Sequence, residues 1–206
     1  MRAILFIILF FTNFCSGADF KPFFNHVVKV EGSAFTVTRF DRGGATKFGV
    51  TFQTFNRFCD LEKFVIECDK DNDKKVTPKD LARLALNDVK PIYKTYYWNV
   101  VKGDKIHNQA IAEFLTDFVV NSGASKNKVL QLQKAMGIKQ DGIFGTQTIK
   151  AINKQNPKVL FKKLYSFRVN FYKKICANDR TQLKFFKGWI NRISLLEQIY
   201  YHEKFI

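Results

Sequence analysis

One carboxylate stands out by its setting. Glu31 directly precedes Gly32 at the end of a stretch in which Phe20, Phe23, Phe24, Val27 and Val28 recur at helical spacing, so the chain is expected to turn immediately after the acid. A carboxyl held against aromatic rings is favoured in its protonated form, and a protonated acid can donate to a glycosidic oxygen. Asp41 follows ten residues on and Thr46 fifteen, inside DRGGATKFGVT, where paired glycines let backbone approach a ligand. A Glu beside a Gly is by itself an ordinary solvated helix end; the spacing to Asp41 and Thr46 strengthens the chemical reading.

A second set of oxygen-bearing residues lies in DKDNDKKVTPKD. Asp69, Asp71 and Asp73 alternate, Lys75 offers a backbone carbonyl, and Thr77 and Asp80 stand ninth and twelfth, the ligand spacing of an EF-hand-like calcium loop. Lys74 replaces the usual glycine and Asp80 is shorter than the usual Glu, so weak binding is expected. The competing reading is an acidic turn in which Thr77 caps, Pro78 starts and Asp80 closes a capping box on the next helix.

Other chemistries find little support. His26, His107 and His202 have no zinc spacing to one another or to a cysteine, and no Cys–His nucleophile is apparent. Behind a leader that holds Cys15, the cysteines are Cys59, Cys68 and Cys176, which allows at most one intramolecular disulfide. Cys59 and Cys68 could pair only if the chain turns between them, because nine helical residues would hold them about 13.5 Å apart.

The elements that must position these groups read as mainly helical. Asp19 can cap a first helix ending at Gly32, and Ala34 to Thr51 reads as a small β-hairpin. Apolar stripes of helical period run from Leu81 to Val89, Ile106 to Val119, Val129 to Met136, Val159 to Ile175 and Leu183 to Tyr200. Pro91 and Gly137 are expected to end helices. The predicted class is mainly α, of α+β type.

The 206 residues, 46% hydrophobic and 25% charged, exclude disordered, collagenous and coiled-coil classes. A formal net charge of +16 implies anionic partners. Met1 and Arg2, an apolar run from Ala3 to Phe11 and Ser16-Gly17-Ala18 read as a secretory signal peptide cut near Ala18, too short to span a membrane. A secreted or periplasmic protein follows, with anionic envelope polymers as partners and no nucleic acid.

Glu31-Gly32, DRGGATKFGVT, IYKTYYW at 92 to 98, FVVNSGA at 118 to 124, LQLQKAMGIKQDGIFGTQT at 130 to 148 and FFKGWINRI at 185 to 193 together resemble glycoside hydrolase family 108. The resemblance spans essentially the whole chain after the leader. It implies a lysozyme-like helical fold with the hairpin near a catalytic Glu31, a catalytic region at 19–120 and a helical peptidoglycan-binding region at 121–206 packed on it. It also implies an N-acetylmuramidase cutting between N-acetylmuramic acid and N-acetylglucosamine. The Glu, Asp, Thr order is similar to that of phage-type lysozymes, whose Asp stands one residue nearer, and Ser33 replaces a second Gly. Trp98 and Tyr97, with flat faces and polar tips, and Asn121, with its amide, are candidate substrate contacts; their alternative is a place in the core or at a helix end. DGIFGTQT, 141 to 148, is similar to the turn of peptidoglycan-binding modules; its alternative is a structural turn at Asp141-Gly142 before a helix capped by Thr146. No organic cofactor is required, calcium is the one candidate ion, and a monomer is expected. The rivals are a lytic transglycosylase, a catalytically silent wall-binding protein and a cationic membrane-disrupting protein.

Overall fold

The structure, a computed structural model, describes residues 17–37, 44–60 and 68–203, with side chains through 198. Helix α1 (Phe20–Glu31) begins where Asp19 accepts a hydrogen bond from the Lys21 N–H at 3.0 Å and ends at Gly32, whose φ of 74° only glycine adopts freely. Three short strands follow, β1 (Thr36–Val37), β2 (Ala45–Lys47) and β3 (Val50–Thr51), in an antiparallel sheet ordered β1-β2-β3. Helix α2 (Phe52–Cys59) starts from a Thr51 cap.

The predicted stripe from Leu81 to Val89 is two helices, α3 (Pro78–Arg83) and α4 (Leu86–Tyr93). Pro91 lies inside α4 instead of ending it. It has no N–H to donate to the carbonyl of Asn87, an exposed residue, and the helix widens into a π-turn, Lys94–Trp98, closed by the Asn99 N–H on the Lys94 carbonyl at 2.9 Å.

Helix α5 (Gln109–Ser122) is the axis of the molecule. Every residue from Ala110 to Val119 is buried, as a helix enclosed on all sides requires. Around it come α6 (Lys126–Met136), α7 (Thr146–Asn153), α8 (Pro157–Asn178) and α9 (Leu183–Glu203), with α8 and α9 both packed on α5. One apolar cluster joins Phe23 and Trp98 to Phe118, Phe161, Leu164 and Leu196, so the two regions share a core. The expected boundary between residues 120 and 121 falls inside α5.

Cys59 and Cys68 form a disulfide with Cα atoms 5.9 Å apart, and Cys176 is a buried free thiol. The chain therefore does turn between the two. Ala18, beside which the leader was expected to end, is buried and donates its N–H to the Ile106 carbonyl at 2.8 Å. No helix among the described residues is long and apolar enough to cross a membrane.

Closing a loop of nine residues' separation restricts the unfolded chain by roughly 2–3 kcal/mol. Replacing Cys59 and Cys68 together by Ser should lower the urea-derived unfolding free energy by about that amount, without altering the far-ultraviolet circular dichroism.

Candidate active site

Glu31 is the last residue of α1, and Phe20, Phe23, Phe24 and Val27 bury the helix behind it. Its side chain, 22% exposed, thus stands at the edge of the core. Against it lies the β2–β3 turn. Phe48 and Gly49 have φ of 50° and 73°, the paired positive angles of a two-residue turn matched to strand twist. A Cβ on Gly49 would come within 2.7 Å of Glu31 Cγ and of the Tyr93 hydroxyl, so glycine is what lets the turn press on the acid.

Tyr93, fully buried, donates its hydroxyl to the Phe48 carbonyl at 2.9 Å. Burial first, then the neighbouring Glu31 carboxylate, push that hydroxyl far up, so it stays a donor. Burial also raises Tyr97, against the lowering effect of its hydrogen bond with Thr54, and Glu31 adds to the rise. Tyr97 lines a groove of about 290 Å³ with Gln53, Thr54, Arg57 and Tyr96.

The charged partner of Glu31 comes from the far end of the chain. Arg192, on α9, donates from Nη1 to Glu31 Oε1 at 2.7 Å and from Nε and Nη2 to Asp117 of α5 at 3.0 and 2.7 Å. Asp117 also receives Arg168 of α8, Nη2 to Oδ2, at 2.9 Å. Arg168 is fully buried with its guanidinium over the Phe114 ring at 4.8 Å, and it donates to the Tyr172 hydroxyl at 2.9 Å. The Tyr172 hydroxyl in turn donates to Asn121 Oδ1 at 2.7 Å. Two carboxylates and two guanidiniums thus neutralise one another in a continuous network. Burial alone would raise the Asp117 carboxyl, yet Arg192 and Arg168 hold it below the ordinary carboxylate range. Arg192 is pushed up by Asp117 and Glu31 against the effect of burial, and stays charged.

The described setting of Glu31 is therefore a cation and a glycine turn, with the phenylalanines of α1 buried in the core behind it. Thr46 is half-buried in β2, opposite Thr36 and Thr51, and Asp41 lies outside the described residues. Trp98 corrects the expectation of a sugar contact: it is 0% exposed, packed on Phe20 and Phe23, with Nε1 donating to Asp104 at 2.6 Å. Tyr97 keeps a groove-lining position. Asn121 has its carbonyl oxygen occupied by Tyr172, which leaves only its N–H groups to offer a ligand. In the 141–148 turn, buried Gln133 accepts from the Asp141 and Gly142 N–H groups and donates to Asp141 Oδ1, a structural clamp.

In the acidic loop, carboxylate oxygens of Asp69, Asp71 and Asp73 lie within 4.8 Å of one another. Lys74 takes φ of 66°, the conformation expected of a glycine there. Asp80, fully buried, accepts from the N–H groups of Lys70, Asp71 and Thr77 and from the Thr77 hydroxyl. Thr77 and Asp80 form the capping box of α3, and Asp80 is not gathered with the other three.

Residues 24–123 match the family described as Glycosyl hydrolase 108, and residues 127–194 match one described as a predicted peptidoglycan domain. The chain carries a glycosyl hydrolase family 108 domain. The solved structure of SagA from Brucella abortus is similar to it, with a TM-score of 0.66 and 28% sequence identity over 86% of this chain and 93% of that one. No curated protein matches it. The two matched domains mark it as a glycoside hydrolase acting on peptidoglycan, on a mainly helical, lysozyme-like fold. Arg192 and Asp117 are the residues of the candidate site that sequence reasoning missed. For Asp117 and its partner Arg168 the signal was present: Asp117 sits in FLTDFVV and Arg168 in YSFRVNF, lone charges inside apolar runs, which are rarely buried unless paired.

Replacing Asp117 by Asn leaves the buried Arg168 guanidinium without its counter-charge and should cost about 3–5 kcal/mol, read from urea unfolding. A carboxyl held below its unfolded value stabilises the fold above that value and ceases to as pH falls through its folded one. The melting temperature should therefore fall on acidification below about pH 4, less steeply in Asp117→Asn.

Proposed function

We propose that this family 108 hydrolase is an N-acetylmuramidase in which Glu31 is the general acid. The observation that carries the reading is the placement of Glu31: a partly exposed carboxylate at a helix end, with Oε1 bonded to Arg192 and the tyrosine-lined groove nearby. Among the described residues no hydrogen bond reaches Oε2. Protonated there, Glu31 would donate to the leaving glycosidic oxygen as positive charge develops on the muramic acid ring. Asp41, or a water held by Asp41 and Thr46, would complete the displacement. The leader carries the enzyme out of the cytoplasm, and the packing of Ala18 favours cleavage on its N-terminal side. Anionic envelope polymers are further partners, supported by the charge of +16 and by Lys102, Lys105 and Lys150 around one open groove.

Mass spectrometry of fragments released from purified peptidoglycan tests this. The protein should release reducing muramic acid ends, and Glu31→Gln should lower the rate at least about 10²-fold with wall binding and the far-ultraviolet circular dichroism unchanged. Anhydro-muramic ends would make it a lytic transglycosylase, and binding without release a silent wall-binding protein.

We also propose a weak calcium site at Asp69, Asp71 and Asp73, supported by the gathered oxygens and by Asp71 Oδ1, which is buried without a hydrogen-bond partner. Millimolar calcium should raise the melting temperature relative to chelator; an identical melt in both retires the site.

A further inference from the structure

We propose that the C-terminal segment is part of the catalytic centre, because Arg192 determines which oxygen of Glu31 carries the proton. The inference rests on Glu31 being the general acid. A guanidinium has only N–H donors and does not lose its proton in proteins. With Nη1 2.7 Å from Oε1, a proton on Oε1 would face another proton, so the acidic hydrogen is confined to Oε2. That is the oxygen no described residue engages.

Asp117 keeps the arginine in that pose. Nε and Nη2 both bind Asp117, leaving Nη1 to point at Glu31. Asp117 is itself anchored by Arg168 at 2.9 Å, and a Trp189–Tyr172 stack at 5.0 Å packs the α9 turn before Arg192 onto α8. The residues belong to α5, α8 and α9, and both arginines lie in the segment matched to the peptidoglycan domain. That segment therefore does more than retain the enzyme on the wall. Arg192 is a positioning residue, since it acts on the reaction through Glu31.

The test compares the wild type, Arg192→Ala, Arg192→Lys and Glu31→Gln in the full chain, measuring kcat, KM and retention on insoluble peptidoglycan. Arg192→Ala should lose about 10²-fold in kcat, the scale of a misplaced catalytic group, with KM and wall retention unchanged. Arg192→Lys should recover part of the loss, since one ammonium donor can still reach Oε1. Added guanidinium chloride at low concentration should restore part of the turnover of Arg192→Ala and none of that of Glu31→Gln. An Arg192→Ala enzyme with wild-type kcat overturns the inference and leaves the muramidase reading standing. So does a loss of kcat that falls together with wall retention and is recovered by neither Lys nor guanidinium. A wild type that releases no fragments overturns both.

Discussion

The fork of Arg192 between Asp117 and Glu31 is the constraint on which the site depends. Asp117 lies at the centre of a helix buried on every side, where a lone carboxylate would be very costly. Two guanidiniums answer it, and the second brings a surplus positive charge that Glu31 balances at the edge of the core. The candidate catalytic acid therefore completes a charge quartet as well as standing ready for substrate. Such networks give less stability than their short distances imply, because desolvation of each ion offsets much of the attraction. What this one supplies is direction: Nε and Nη2 of Arg192 are held on Asp117, which turns Nη1 onto Glu31.

The same network explains why the two matched segments share one core. Arg168 and Arg192 reach inward from α8 and α9, while Glu31 and Asp117 sit on α1 and α5. Aromatic rings fill the space between: Phe114, Phe118 and Tyr172 all lie within 6 Å of the Arg168 guanidinium, where the ring faces favour a cation. Some of the 23 Phe residues thus have a physical role in sheathing a buried charge. A wall-binding module able to tumble on a linker would need no such contact.

The helix that carries Glu31 was legible in the sequence because its signals are local: an Asp cap, a periodic apolar face and a terminal glycine. The hairpin was legible in outline for the same reason, although the glycine seen to approach the acid is Gly49. Trp98 shows the limit, since an aromatic in a Tyr-rich run has one periodicity whether it meets a sugar or Phe20. Pro91 shows another: an exposed position at Asn87 and a widened turn let a helix continue where local rules end it. Arg192 was out of reach because its meaning is set by a residue 161 positions away, and no local pattern encodes that pairing.

Two clamps of different character thus hold Glu31. One is backbone: the Phe48–Gly49 turn, in which a bulky residue adopts φ of 50° at a cost of about 1–3 kcal/mol, partly offset by the Tyr93 hydroxyl on its carbonyl. The other is ionic and comes from α9. The turn presses on Cβ and Cγ of Glu31 and so restricts how the side chain leaves the helix, while Arg192 takes one oxygen and so restricts its last torsion. Neither suffices alone, because packing against the stem leaves the carboxylate free to rotate and a salt bridge leaves the stem free to swing. Among the described residues, together they leave Oε2 as the atom free to meet a ligand, and the groups that achieve this come from α1 and α9, near opposite ends of the chain.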